Sequence, residues 1–183
     1  MTWQQLVMAI DLERYDPDWP EQFRVEASRL TELLAPWLAT PVEHIGSTSV
    51  PGLAAKPILD MMAGVHDLHS AEDAIPVLTS HGYRHGQHRP ATLWFHKAST
   101  DSELERALHL TEPGSSLWRE RLAFREALRA DPLLARKYQD LKQRLASDSG
   151  DIAAYTAGKR EFVVQVLARA GVRAEQWRQS RRN

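Results

Sequence analysis

The sequence contains no cysteine. Disulfide bonds, thiolate nucleophiles and cysteine-ligated metal sites are therefore excluded, as is typical of a protein of the reducing cytoplasm. No apolar run is long enough to cross a membrane. The first residues lack the basic segment, followed by an apolar one, that marks a signal peptide. The sequence thus predicts a cytoplasmic protein with no membrane partner.

An excess of charge of one sign is also missing. The chain has 23 Lys and Arg residues against 24 Asp and Glu residues, so its net charge gives no reason to expect a nucleic-acid partner. Several well-known motifs are absent as well: there is no P-loop, no Rossmann glycine triplet, no Gly-x-Ser-x-Gly elbow and no His-Glu-x-x-His. These absences exclude the commonest signatures of nucleotide-binding loops, serine hydrolases and zinc proteases.

What the chain does contain is enough apolar material for one folded domain. It has 183 residues, of which 43% are hydrophobic, and this length can bury a full core. Predicted strands fall within residues 1–111, whereas residues 112–183 have helical patterns throughout. We therefore expect a single domain over 1–183 of the α+β class. It has a mixed β-sheet flanked by helices in 1–111 and a helical C-terminal section, 112–183, packed on that sheet.

Local patterns place the individual elements. An acid and a proline at Asp18-Trp19-Pro20 predict a helix start, and apolar residues at helical spacing continue to Trp37, with Thr40 and Pro41 as the stop. Residues 104–111 alternate, so that leucines share one face and Glu105, Ala107 and His109 share the other. In the C-terminal section, the pattern predicts three helices, over 116–130, from Pro132 to the linker 147–150, and from Asp151 to Gly171.

The stretch from His44 to Asp60 is the most informative in the chain. Its residues are typical of a strand, a tight turn, a short helix and a second strand. Gly46 ends the first strand and permits a sharp turn; Ser47 and Thr48 follow, residues that cap helix starts and offer N–H and hydroxyl donors to an anion. An ordinary strand-to-helix turn is the alternative. The whole string favours a phosphate cradle.

Asp60 lies inside the apolar run 58–65. A lone carboxylate in a buried strand is costly unless it is paired or holds a cation, so we expect Asp60 to bind a metal or the substrate, unless a buried Arg or Lys pairs with it. Lys56 contacts a phosphate or is solvated. Glu43 and His44 lie on opposite faces of the preceding strand, so one of them faces the cleft. There it completes a weak metal site, binds a hydroxyl or makes a structural hydrogen bond.

Further candidates lie beyond the central stretch. His109 is mid-strand opposite a leucine face, which places it on the cleft side, although a satisfied core histidine is the commoner fate of such a residue. Tyr155 and Lys159 are one helical turn apart and share a face; the alternative is a core tyrosine beside a solvated lysine. His81, His85 and His88 have spacings that suggest zinc, but the glycines and proline among them disfavour the helix that would align three ligands.

The chain resembles the GrpB family, a branch of the nucleotidyltransferase superfamily that includes the polymerase-β-like enzymes. The resemblance covers most of the chain, and its most specific part is the central stretch. The matching segments are Tyr15-Asp16-Pro17-Asp18-Trp19-Pro20, Glu43-His44-Ile45-Gly46-Ser47-Thr48-Ser49-Val50-Pro51-Gly52-Leu53, Lys56-Pro57-Ile58-Leu59-Asp60, His109-Leu110, Gly114-Ser115, Phe124-Arg125-Glu126-Ala127-Leu128-Arg129, and Tyr155-Thr156 with Lys159.

The resemblance implies a nucleotidyltransferase-like fold. It also implies that the Gly46-Ser47 turn holds nucleotide phosphates and that Asp60 binds a divalent metal, Mg²⁺ or Mn²⁺. It also favours a role for Lys159 in contacting phosphate. One departure stands out, because active members carry a second acid two residues after the first, where this chain has Met62, a poor ligand for Mg²⁺. The third acid is replaced by His109.

Two functions are therefore open. The first is a nucleotidyltransferase-like protein that binds a nucleotide or another phosphate-bearing ligand and transfers a nucleotidyl group to a small acceptor. In this function Asp60 and His109 are catalytic, Gly46, Ser47, Thr48, Lys56 and Lys159 hold the phosphates, and Asp60 with Glu43 holds the metal. The second is a binding or interaction module in which the reduced acid set has left a ligand pocket without transferase activity.

Overall fold

The structure is a computed structural model that describes residues 11–87, 90–100, 103–148 and 152–175. Within these ranges the chain forms a sheet of strands and two groups of helices. The strands are β1 (Leu38–His44), β2 (Ile58–Val65), β3 (Arg84–Gly86), β4 (Leu93–Lys97) and β5 (Glu105–Thr111). The helices are α1 (Trp19–Leu34), α2 (Ala74–Ser80), α3 (Ser116–Ala130), α4 (Pro132–Asp148), α5 (Ile152–Gly158) and α6 (Arg160–Arg169), with short 3-10 helices at Ser47–Ser49 and Ser70–Asp73. None of these helices is both long and apolar enough to span a bilayer.

The five strands make one mixed sheet in the order β1-β2-β5-β4-β3. Strands β2 and β5 are parallel neighbours at its centre, and the other pairs are antiparallel. Because side chains alternate across a strand, Met61, Ala63 and Val65 of β2 face the layer of α1 and α2. Met62, on the other face, packs under Leu117 of α3. The α+β architecture predicted from the sequence is confirmed.

The boundary between α1 and β1 differs from the prediction. Helix α1 ends at Leu34, and Thr40 and Pro41 lie inside β1. Proline fits there because β1 is an edge strand. The backbone N–H that proline lacks is not needed on the side that has no neighbouring strand. The register of β1 on β2 shifts between Leu38 and Val42, and the Thr40 hydroxyl accepts a hydrogen bond from the Gly64 amide at 3.0 Å. A side chain thus replaces a ladder bond at the irregularity.

The last predicted helix is divided in two. Helix α5 ends at Gly158, and α6 begins at Arg160, so Lys159 stands at the break. A Cβ added to Gly158 would lie 2.4 Å from Cδ2 of Leu145 on α4, so the glycine permits an approach that another residue would block. Helix α4 continues to Asp148, into the predicted linker. The break places Lys159 beside the sheet.

The face of the sheet covered by α1 contains a buried ionic network. Glu26 of α1 accepts a hydrogen bond from the Tyr83 hydroxyl at 2.8 Å, and its other oxygen lies 3.1 Å from Nε of Arg106 on β5. Glu26 is 3% exposed and Arg106 5%. Removing one partner would leave the other charge buried and incompletely paired.

We expect Glu26→Gln to lower the free energy of unfolding by about 3 kcal/mol, since the amide keeps the shape but leaves Arg106 undercompensated. Chemical denaturation followed by circular dichroism measures this. The control is Glu21→Gln, which removes an exposed ion pair with Arg24 on the same helix and should change stability little. Equal effects of the two substitutions would contradict a stabilising role for the buried network.

Candidate functional site

The turn after β1 brings the backbone against Asp60. Gly46 has φ +56° and ψ −177°, a conformation that essentially only glycine adopts. A Cβ at this position would lie 2.3 Å from Oδ2 of Asp60. The Ile45 amide also donates to the Asp60 carbonyl at 2.8 Å. The turn and the carboxylate singled out in the sequence are therefore direct neighbours.

The hydroxyl of Thr48 is engaged within the protein. It donates to the Ile58 carbonyl at 2.9 Å, so the proton shared with His44 at 2.9 Å must come from Nε2 of the histidine. The ring of His44 stacks on Phe23. Burial, with smaller contributions from Arg129 and Arg125, lowers the pKa of His44 to about 4, so the ring is neutral. His44 and Thr48 thus brace the turn, and His44 faces away from the cleft.

A cavity of about 450 Å³ opens between the sheet and α3–α6. Its floor comes from β2, β4 and β5, and its walls come from the Gly46 turn and the C-terminal helices. Its lining includes the predicted residues Ser47, Thr48, Lys56, Asp60, His109 and Lys159, together with Trp94, His96, Glu105, Glu120, Arg121, Phe124, Tyr138, Lys142 and Tyr155. The structure thus brings together all predicted site residues except Gly46, which lies behind Asp60, and Glu43.

Two lysines of the cavity have lowered pKa values, because their surroundings disfavour the charged form. Lys142 is 2% exposed, and its Nζ donates to the Ala54 carbonyl. Burial, aided by repulsion from Lys159, lowers the pKa of Lys142 to about 7. Burial and repulsion from Lys56 lower the pKa of Lys159 to about 8, although Asp60 opposes the shift. The positive charge of this group is therefore not fully compensated by the protein.

The ammonium groups of three cavity lysines lie against tyrosine rings. Nζ of Lys159 lies 4.2 Å from the centre of the Tyr155 ring, and Nζ of Lys56 lies 5.5 Å from the same ring. Nζ of Lys142 lies 5.0 Å from the Tyr138 ring. Contacts between a cation and a ring face stabilise the charge partly without supplying a counter-charge. The lysines are thus positioned while their charge stays available to a ligand.

Asp60 lies among these cations. Burial raises the pKa of Asp60 above its usual range, and Glu105 adds to the rise, while Arg121, Lys159 and Lys56 oppose it. Nε of Arg121 is buried and has no hydrogen-bond partner among the described residues. A buried donor without a partner among the described residues therefore belongs to a side chain of the cavity wall whose charge acts on Asp60.

The remaining predicted metal ligand lies elsewhere. Glu43 is on the same face of the sheet as Asp60, but its carboxylate pairs with Nη1 of Arg125 at 2.7 Å and does not line the cavity. Met62 is fully buried beneath α3. No group of three His, Asp or Glu side chains within the described ranges is arranged to hold a metal ion. His88 of the suggested zinc cluster lies outside those ranges.

A row of arginines on α3 fixes the turn. Arg121, Arg125 and Arg129 recur every four residues, on one side of the helix. Nη1 of Arg125 donates to the His44 carbonyl at 2.9 Å, and Arg129 donates twice to the Ser49 carbonyl, at 2.9 and 3.0 Å. Helix α3 therefore holds both ends of the turn, while Arg121 of the same helix lines the cavity.

Sequence reasoning missed Arg121, Tyr138 and Lys142. A signal was present, because Tyr138 and Lys142 repeat the four-residue tyrosine–lysine spacing of Tyr155 and Lys159 on a second helix. The apolar periodicity of α4 alone indicates a core role for Tyr138. Its hydroxyl interacts with Ser47, which opposes the rise in the pKa of Tyr138 caused by burial.

The mixed sheet, the glycine–serine turn and the acid on the following strand define a protein of the nucleotidyltransferase fold. A solved structure of the Cid1 poly(U) polymerase, with Mg and 3′-dATP bound, matches with a TM-score of 0.54 at 14% sequence identity. The match covers 81% of this chain and 50% of that one. At this level of identity the similarity shows the fold alone.

The chain belongs to the GrpB family, whose family model, described as GrpB protein, matches residues 9–169. The crystal structure of conserved protein GrpB from Enterococcus faecalis is 31% identical with a TM-score of 0.75, covering 87% of this chain and 96% of that one. A UPF0157 protein of Deinococcus radiodurans is 36% identical over 162 residues, 88% of this chain and 82% of the relative. A Mycolicibacterium paratuberculosis protein named dephospho-CoA kinase is 29% identical over 85% of this chain and 44% of its own.

Replacing Gly46 tests the contact between the turn and Asp60. Gly46→Ala should cost at least about 3 kcal/mol of folding free energy, because it combines a strained φ with a collision. Gly52→Ala is the matched control: Gly52 has φ +77° but nothing within 4 Å of an added Cβ, so about 1 kcal/mol is expected. Equal losses in denaturation experiments would show that the approach to Asp60 is unimportant.

The buried lysine predicts a pH dependence of stability. In the unfolded chain Lys142 titrates near the usual lysine pKa of 10.5, and in the folded protein its pKa is about 7. Folding therefore releases a proton between these values. The destabilisation caused by the buried charge is complete below pH 7 and disappears as pH rises toward 10.5.

The stability gained by Lys142→Met should accordingly shrink with rising pH across this window, by at most about 1.4 kcal/mol per pH unit. Urea denaturation of both proteins at several pH values measures the difference. Lys137→Met, an exposed lysine on the same helix, should show no such trend. A difference between Lys142→Met and wild type that is constant with pH would contradict a neutralised lysine.

Proposed function

We propose that the cavity binds a small phosphate-bearing ligand, a nucleotide or a related compound. The observation that carries this proposal is the convergence of Lys56, Arg121, Lys142 and Lys159 on one cavity. Bringing these cations together costs stability, as the lowered pKa values of Lys142 and Lys159 indicate. Perturbed, clustered groups of this kind concentrate at functional sites.

Two of the carboxylates that line the cavity have partners outside the cation cluster. Glu105 pairs with Nε2 of His96 at 3.0 Å, and Glu120 accepts a hydrogen bond from the Glu175 amide at 2.7 Å. Asp60 is the acid whose charge acts on Lys159. A ligand that brings several negative charges would therefore find donors and positive charge already in position, and charge-assisted bonds of this type are the strong ones.

The size and walls of the cavity suit a nucleotide. A volume of about 450 Å³ lies within the range of small-molecule sites. Phe124, Tyr138 and Tyr155 supply ring surfaces to the cavity lining. Trp94 of β4 adds a fourth aromatic ring. The relative named dephospho-CoA kinase bears the name of an enzyme for a phosphate-bearing nucleotide, so dephospho-CoA belongs among the probes together with ATP and inorganic pyrophosphate.

Nucleotidyl transfer is the second candidate, favoured by the contact between Gly46 and Asp60 in a nucleotidyltransferase fold. An acceptor hydroxyl would attack the α-phosphorus of a nucleoside triphosphate, transfer its proton to Asp60 or His109, and displace pyrophosphate. Ser47 would hold phosphate oxygens. Pyrophosphate release in the presence of Mg²⁺ or Mn²⁺, abolished by Asp60→Ala, would establish this activity. Ligand binding without turnover would support only the binding function.

Calorimetric titration with ATP, dephospho-CoA and pyrophosphate, each with and without Mg²⁺, tests the binding function. Lys159→Met should weaken the affinity roughly tenfold or more, because one charge-assisted hydrogen bond is lost. Lys137→Met lies on α4 outside the cavity and should bind like the wild type. Absence of binding in both buffers, or equal affinity in Lys159→Met, would overturn the proposal.

A further inference from the structure

The donor set around Asp60 fits a divalent cation poorly. Mg²⁺ prefers several oxygen ligands at close to octahedral geometry. The next side chain on the same face of β2 is the thioether of Met62, covered by Ile45 and Leu117. Glu43 is held by Arg125 at 2.7 Å. Asp60 is thus left with few carboxylate partners.

Glu105 is the other carboxylate that acts on Asp60. It lies on β5, where its strand partner is Ile58, two residues before Asp60. Its carboxylate is engaged with Nε2 of His96 at 3.0 Å. A metal shared between Asp60 and Glu105 would have to displace that contact and enter next to three side-chain cations. Their repulsion opposes a divalent ion at the same place.

Those cations act on Asp60 from three elements. Arg121 comes from α3, Lys159 from the break between α5 and α6, and Lys56 from the segment before β2, and all three favour the charged carboxylate. Arg121 also has an Nε that is buried and without a hydrogen-bond partner among the described residues. The positive charge next to the carboxylate is therefore supplied by the protein itself.

We infer that this site takes a multiply charged phosphate ligand free of divalent cation, with Arg121, Lys159 and Lys56 in the place that a metal ion would otherwise fill. The inference rests on the proposed function. The guanidinium of Arg121 would donate to phosphate oxygens with the Nε that the ligand-free protein leaves unused. The ammonium groups of the two lysines would gain counter-charge beyond that of Asp60. Mg²⁺ would compete, because it neutralises part of the ligand's charge before binding.

The sign of the Mg²⁺ effect separates this inference from a metal site. Pyrophosphate and ATP are titrated into the full chain in EDTA and in excess Mg²⁺, at equal ionic strength. We expect affinity to be roughly tenfold higher in EDTA. Binding that appears only with Mg²⁺ would overturn the inference and leave the proposed function standing. Absence of binding in both buffers would overturn the inference and the proposed function together.

Variants make the distinction independent of any one substitution. Asp60→Asn should bind pyrophosphate more tightly in EDTA, because a like charge is removed, whereas a metal site would lose ligand and metal together. Arg121→Gln should weaken binding in EDTA, and Arg136→Gln, an exposed arginine of α4, is its control. Glu105→Gln tests the second carboxylate: loss of a Mg²⁺-dependent gain in both Asp60→Asn and Glu105→Gln would establish a shared metal and contradict the inference. Thermal melts confirm that each variant is folded.

Discussion

The approach of the Gly46 backbone to the side chain of Asp60 is the constraint on which the site depends. The turn can reach the carboxylate only because no Cβ intervenes and because glycine accepts the required φ and ψ. The Ile45 amide donates a hydrogen bond to the carbonyl of Asp60 on β2. From the other side, Arg125 and Arg129 hold the carbonyls at the two ends of the turn. The close contact holds the turn against β2, and the arginines hold the same turn against α3.

The C-terminal helices complete the site at a cost in stability. Lys142 is almost fully buried on α4, and Lys159 occupies the break between α5 and α6, where both lose hydration and repel each other. Apolar residues at these two positions would fold with less penalty. Proteins depart from optimal stability at functional sites, which agrees with the proposed ligand site. The buried network of Glu26, Tyr83 and Arg106 on the other face differs, because its opposite charges meet within the protein.

Local sequence patterns were sufficient for the central part of the fold. The two-residue period of β5 placed His109 and Glu105 on the cavity side, and the apolar run with one acid located Asp60. They were insufficient where a partner is distant in the chain. Glu43 was expected near a metal, but Arg125, 82 residues later, pairs with it. Gly158, next to the break at Lys159, packs against Leu145, a contact between two helices that helical periodicity does not encode.

The expected metal site likewise shows that local patterns do not reveal partners distant in the chain. Resemblance to the nucleotidyltransferases emphasised the acids, and the missing acid at Met62 was visible in the sequence. Lys56 and Lys159 were expected to contact phosphate, but Arg121 and Lys142 were missed, because they lie on two different helices, α3 and α4, that converge on the cavity only in the folded chain. Each of them alone is typical of a solvated helix face. Under the proposed function, the shared position of these cations makes the cavity a site for an anion rather than a degraded metal centre.

A crystal structure of the protein grown with pyrophosphate in the presence of EDTA tests the central claim most directly. The account predicts phosphate density in the cavity, with oxygens within hydrogen-bond distance of Arg121 and Lys159 and no metal between the ligand and Asp60. Pyrophosphate bound elsewhere on the surface, with the cavity free of density at saturating ligand, would contradict it.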